Sequence, residues 1–211
     1  MSLKYKSILL ILVVLVLDQL LKVWIKTNMF LGEEYRVTEW FRIHFIENEG
    51  MAFGMSFGGR MGKLFLSLFR LVAIGFLGWY VNSLIKNKVS TGLVLSIALI
   101  FAGAVGNMID SAFYGLFFTE SIAWGEVATT VSMGSGYDNF LFGKVVDMFY
   151  FPMIKGHYPE WFPFWGGDYF EFFRPVFNIA DSAISVGVVS VLLFYRSHFV
   201  TEAQNTSKNL V

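Results

Sequence analysis

The sequence predicts a four-span α-helical integral membrane protein. Three observations carry this: four apolar stretches of about 20 residues, a charged fraction of 15% against 55% hydrophobic, and basic residues gathered at alternate ends of the stretches. A soluble domain carries about 25% charged residues. A bilayer core about 30 Å thick needs about 20 mostly apolar helical residues to cross it. The 211 residues suffice for one membrane domain, 1–211.

The spans are expected at about 7–25, 64–85, 91–113 and 176–195. Each is apolar on every face and lacks an internal proline, which suits helices in lipid. The first follows Lys4 and Lys6, as a cleaved signal would. Its apolar core runs into Asp18, Gln19 and Lys22 rather than a small-x-small cleavage site, so it is expected to remain as a span. Arg70, inside the second span, is expected to snorkel outward.

Orientation follows from charge. The two tails and the short turn after span two hold Lys4, Lys6, Lys86, Lys88, Arg196 and Lys208 against one acid, Glu202. Basic residues mark the cytoplasmic side. Both termini are therefore expected inside, and the connections 26–63 and 114–175 outside. Within the first connection, 35–46 alternates partly and is rich in β-formers, which predicts one or two strands. Within the second, 150–174 is aromatic around Pro152, Pro159 and Pro163. That composition predicts an interfacial segment at headgroup level.

Several classes of chemistry are excluded. The absence of cysteine removes disulfides, thiolate zinc sites and a cysteine nucleophile. With 16 basic and 16 acidic residues and no basic block, no nucleic-acid partner is expected. His44, His157 and His198 are scattered without ligand spacing, so no metal and no cofactor are expected. Gly54, Gly58 and Gly59 read as turn residues, since no strand-to-helix phosphate loop surrounds them.

The polar residues inside the spans are the functional signal, because an ionisable group in lipid is costly. Asp18 and Lys22 lie four apart on one face of span one and can pair. Asn107 and Asp110 lie three apart near the outer end of span three. Asn178 and Asp181 occupy the first two turns of span four, with Asp181 ~8 Å below its start. The loops add Asn48 and Asp147, the latter between apolar neighbours. Three helices thus bring polar pairs to one outer level. Two carboxyls in a poorly solvated site share a proton and titrate as a unit. One can deprotonate a water while the other protonates a carbonyl oxygen, the aspartic-protease arrangement. Spacing leaves Asp147, Asp181, Asp110 and Asp18 unranked.

At these residues the sequence resembles the lipoprotein signal peptidase (signal peptidase II) family. Asp18-Gln-Leu-Leu-Lys22 is similar to its D-Q-x-x-K, and Asn48-Glu-Gly-Met-Ala-Phe53 to its N-x-G-x-A-F. Gly103-Ala-Val-Gly-Asn107-Met-Ile-Asp110 is similar to G-x-x-G-N-x-x-D, Val145-Val-Asp147 to V-V-D, and Phe177-Asn-Ile-Ala-Asp181 to F-N-x-A-D. Five short motifs in order, each at the expected depth, cover nearly the whole chain. The resemblance implies that Asp147 and Asp181 are a catalytic dyad. It implies that Asn48, Gly50, Asn107 and Asn178 line the substrate site, and that Asp18, Lys22 and Asp110 support it. It further implies removal of the signal peptide from diacylglyceryl-modified prolipoproteins, by cleavage before the lipidated cysteine. It also implies a small extracytoplasmic β-sheet built largely from the loop after span one.

Two departures stand out. The family usually has Arg after the aspartate of its third motif, where this chain has Ser111; Lys22, Lys144 and Arg174 are candidate replacements. The link from that motif to V-V-D is usually short. Here 116–142 adds a Gly/Ser/Thr-rich segment, which composition suggests is a dispensable loop.

Blander readings stand beside the sharp ones. Asp18 with Lys22 could be a brace, Asp110 structural, and Asn107 and Asn178 ties between helices. Rival functions are a transporter using Asp18, Asp110 and Asp181 as a relay, a Ser/Lys peptidase using Ser182 or Ser185, and a non-catalytic assembly factor. A relay would place polar groups at several depths, whereas the inner halves of these spans are almost entirely apolar.

Overall fold

The structure is a computed structural model that describes residues 1–50, 59–172 and 174–199. Four of its helices are long and apolar enough to cross a bilayer: Leu3–Asn28, Gly59–Lys86, Thr91–Phe117 and Ile179–Phe199. They are labelled α1 (Leu3–Asn28), α2 (Gly59–Lys86), α3 (Thr91–Ile109) and α4 (Ile179–Ser190). Beyond α3 the chain makes a π-helical turn, Asp110–Tyr114, and a last turn, Gly115–Phe117. Beyond α4 it makes a second π-helical turn, Val191–Tyr195. The fourth helix starts three residues later than expected, because Phe177 is held extended by backbone hydrogen bonds in both directions with Phe149. Leu9, Leu12, Val16, Phe65, Phe69, Val72 and Phe76 are exposed along α1 and α2, a surface suited to lipid rather than water. The chain is a helical membrane protein carrying small antiparallel sheets.

The chain forms two compact units. Among the described residues, the first comprises 1–19, 65–109 and 179–199. In it α3 and α4 pack with glycines at their seam. A Cβ on Gly103 would fall 2.2 Å from the Ala180 carbonyl oxygen, and one on Gly187 2.6 Å from that of Ser96. Small residues let two backbones approach this closely where lipid offers no hydrophobic drive. The Ser96 and Ser190 hydroxyls hydrogen-bond across the same seam at 2.8 Å. Val81 and Leu84 of α2 pack with Leu93, Val94 and Ile97 of α3 as the buried core.

Among the described residues, the second unit comprises 20–50, 59–64, 110–172 and 174–178. Its frame is an antiparallel sheet of β1 (Glu34–Arg36), β2 (Arg42–Asn48) and β3 (Val145–Tyr150), in that order. Ile46 lies opposite Asp147 and Asn48 opposite Val145, with an irregularity between Ile43 and Ile46. Phe45, Val146 and Met148 pack on Ile25, Met29, Tyr114 and Phe118. Of the one or two strands expected in the first loop, two are present. β3 was not expected, and it moves Asp147 from a loop into a strand. Val145, Val146, Asp147 and Met148 are all buried, so β3 carries no alternation for sequence reading to find.

The outer segments hold more regular structure than their compositions suggest. The aromatic segment contains a second hairpin, β4 (Ile154–His157) with β5 (Tyr169–Phe172). Between its strands Trp161 and Phe164 are 79% and 95% exposed. The 116–142 segment is not a bare loop. Phe118, Ala128 and Leu141 are buried, Phe118 pairs with Thr130, and Ser121 is 5% exposed and hydrogen-bonded. Its polar composition hides a few well-placed inner residues.

Candidate active site

In the second unit, β3 presents Asp147 with 4% of its surface exposed. Asn178, fully buried just before α4, donates through Nδ2 to Asp147 Oδ1 at 2.7 Å and to the Val146 carbonyl at 3.2 Å. Asn48 Nδ2 approaches Asp147 Oδ2 at 3.4 Å. Asn48 can reach because Ile46 and Asn48 share the face of β2 that neighbours Asp147, making a diagonal cross-strand pair. The Asn48 side chain is fixed in turn: its Oδ1 accepts the Gly50 amide at 2.8 Å. Gly50 has φ +99°, a conformation that disfavours any side chain there. The rest of the motif after it, 51–53, and Gly54 and Gly58 lie outside the described residues.

Behind Asp147 stands Asp110. Its Oδ2 accepts the Val146 backbone amide at 3.2 Å and the Lys22 ammonium at 2.8 Å, with both side chains fully buried. Of the three candidate cations, Lys22 is the one whose ammonium lies against Asp110. Lys144 instead faces Glu120 at 3.3 Å and Glu47 at 3.7 Å, and Arg174 is exposed. The π-helical turn opens at Asp110, and its Ser111 and Ala112 carbonyls accept the amides of Gly143 (2.8 Å) and Leu141 (3.3 Å). Gly143 has to be glycine: a Cβ would sit 2.1 Å from the Asp110 carbonyl oxygen.

In the first unit, Asp181 lies in the first turn of α4 and its Oδ1 accepts Asn107 Nδ2 at 2.7 Å. Asp18 Oδ1 accepts the Ala180 amide at 2.8 Å. A carboxylate from α1 thus satisfies an orphan donor at the start of α4, where the helix dipole favours negative charge. Gln19 Nε2 donates to Asp18 Oδ2 at 3.1 Å and to the Gly106 carbonyl at 3.2 Å, tying α1 to α3. A Cβ on Gly106 would fall 2.9 Å from Asp18 Oδ2.

Sequence reading missed a buried polar cluster of the second unit, formed by Lys26, Glu47 and Ser121. Lys26 and Glu47 form an ion pair that Ser121 joins, its hydroxyl accepting from Lys26 at 2.7 Å and donating to Glu47 at 2.8 Å. A signal was present, since Lys26 lies four after Lys22 on the same helix face and Glu47 precedes Asn48.

Outside the spans, burial displaces the pKa values of His44 and Tyr137. Burial in β2 pushes the His44 imidazole below its ordinary value, against the opposing charge of Glu34. Burial pushes the Tyr137 phenol well above its ordinary value, although the Lys144 backbone amide donates to its oxygen at 2.6 Å.

Four apolar helices, with carboxyl groups held by amide donors in each of the two units, define a membrane protein that keeps acidic groups out of water. The family model described as "Signal peptidase (SPase) II" matches residues 10–197. A lipoprotein signal peptidase of Porphyromonas gingivalis is 51% identical over 187 residues, 88% of this chain and 80% of that protein. One of Amoebophilus asiaticus is 35% identical over 190 residues, 88% of this chain and 75% of that protein. Among solved structures, a "bacterial membrane enzyme" determined by the in meso method at 2.3 Å superposes with a TM-score of 0.55 at 25% identity. That match covers 95% of this chain and 90% of that one. The chain belongs to the signal peptidase II family, membrane-embedded aspartyl proteases that process prolipoproteins.

Proposed function

We propose that Asp147 and Asp181 are the catalytic pair, acting as one unit to cut the signal peptide from a diacylglyceryl-modified prolipoprotein just before its lipidated cysteine. The observation that carries this is the company each carboxyl keeps. Asp147 is held by Asn178 and Asp181 by Asn107, each at 2.7 Å by a neutral carboxamide. Such a donor fixes the oxygen without adding a positive charge. Asp110 is instead committed to the Lys22 ammonium, and Asp18 to the amide of Ala180. The charged partner of Asp110 and the helix-start partner of Asp18 support reading those two as braces for the other pair. Only two residues separate Asn178, the donor to Asp147, from Asp181.

In the reaction, one carboxylate removes a proton from a water that attacks the scissile carbonyl carbon. The other, as a carboxylic acid, donates a proton to the carbonyl oxygen. Collapse of the tetrahedral species expels the amine, which takes up a proton. Asn48 orients Asp147, and Gly50 sets the loop that carries Asn48 onward. Asn107 and Asn178 line the substrate site through the bonds they make to the acids. Asp18, Lys22 and Asp110 keep β3 and the start of α4 in place.

The chain works as one membrane domain, with both termini cytoplasmic and the site at the extracytoplasmic face of the bacterial cytoplasmic membrane. Lys4, Lys6, Lys86, Lys88 and Arg196 support that orientation. Membrane lipids contact its apolar faces. The chemistry calls for no metal, no cofactor and no nucleic acid.

Asp147→Asn and Asp181→Asn are each expected to abolish release of signal peptide from a lipid-modified prolipoprotein in detergent, while thermal unfolding stays cooperative. Substantial turnover by either folded variant would reject the pair.

A further inference from the structure

The face of β2 opposite Asn48 carries a polar cluster that the reaction does not use. Glu47 points inward with 2% of its side chain exposed. Lys26, fully buried on α1, pairs with it, and the Ser121 hydroxyl bridges the two, 2.7 Å from Lys26 Nζ and 2.8 Å from Glu47 Oε1. Lys144 approaches the second Glu47 oxygen at 3.7 Å. Tyr137 and Phe118 wall the cluster, with Lys26 Nζ 4.9 Å and 5.6 Å from their ring centroids.

Isolating charges this deeply is costly, and a well-packed apolar replacement is often as stable. What the cluster supplies is position. Glu47 is the residue before Asn48, and Lys144 lies three before Asp147, immediately ahead of β3. One cluster therefore clamps, from behind, the two strands whose front faces bring Asn48 to Asp147. The third member comes from 116–142, and that segment is tied to α1's exit by the Leu31 amide donating to the Ile122 carbonyl at 3.1 Å.

We propose that Glu47 is a positioning residue for the cleavage reaction. Locked between Lys26 and Ser121, it sets the end of β2 so that Asn48 orients Asp147, and the 116–142 segment takes part in catalysis at one remove through Ser121. This rests on Asp147 being a catalytic acid.

The test is a double-mutant cycle on prolipoprotein cleavage by the full-length protein in detergent. Glu47→Gln is expected to lower kcat on the order of tenfold with KM little changed, as a misplaced catalytic group does. In an Asn48→Ala background, the same change is expected to cost less than twofold, because its route to Asp147 is gone. Equal losses in both backgrounds, or an unchanged kcat, overturn the proposal. Ser121→Ala keeps both charges and covers the case in which Glu47→Gln does not fold. It is expected to lower kcat in the same Asn48-dependent way, with Ser121→Thr restoring it. Asp147→Asn runs alongside. If it is inactive while the cycle is additive, only the role of Glu47 fails; if it turns over, the catalytic pair fails first.

Discussion

Asp110 and Asp147 are both buried carboxylates in one unit, yet they have different partners. Asp110 has an ammonium at 2.8 Å, whereas Asp147 has carboxamides. Lys22→Met is therefore expected to destabilise the protein by about 3–5 kcal/mol, since it strands a buried charge. Adding Asp110→Asn is expected to restore part of that loss. Thermal unfolding in detergent reads both, and a double variant no better than the single would contradict the pairing. The residue types of this site were legible in the sequence, because ionisable groups at one depth in apolar spans are conspicuous. The partnerships were not. Asp18 and Lys22 are neighbours on a helix, but Lys22's bond to Asp110 and Asp18's bond to Ala180 cross between segments far apart in the chain. Such contacts depend on packing that helical spacing does not encode.

Among the elements, the seam of α3 and α4 depends on hydrogen at Gly103 and Gly187. Gly103→Leu places a side chain where a Cβ alone would be 2.2 Å from the Ala180 carbonyl. It is expected to separate the helices and to cost about 1–3 kcal/mol or more by overpacking. It would also cut activity by moving Asp181, one residue beyond Ala180; a variant with native melting temperature and activity would contradict this. Strand β2 carries a pH effect. Because burial lowers the folded-state pKa of His44, the fold prefers the neutral ring. Its contribution is complete above the unfolded value of about 6.5 and is lost as pH falls through the lower folded value. The melting temperature of the wild type is expected to drop more between pH 7.5 and 5 than that of His44→Asn; parallel curves would contradict it. Removal of 118–141 is expected to prevent folding, since it deletes Phe118, Ser121 and Tyr137 together. The four helices were legible because each is a long apolar run. β3 and the role of 116–142 were not, since a strand buried on both faces lacks alternation and a polar composition conceals a few anchoring side chains.

At the scale of the whole molecule, the sequence order of the motifs carries the assignment. Asp147 and Asp181 belong to different compact units, and each unit supplies its own carboxamide to its own acid. The catalytic account requires these two acids to act together on one peptide bond, without a metal or a covalent nucleophile. Chelators are accordingly expected to leave cleavage unchanged. The most direct test is the residual rate of signal-peptide release by Asp147→Asn, Asp181→Asn and the variant carrying both. Residues that act as one unit lose their effect together, so the double variant is expected to be no slower than the slower single. A double variant whose rate falls by the product of the two single losses would mean that the acids act independently, and would contradict the account.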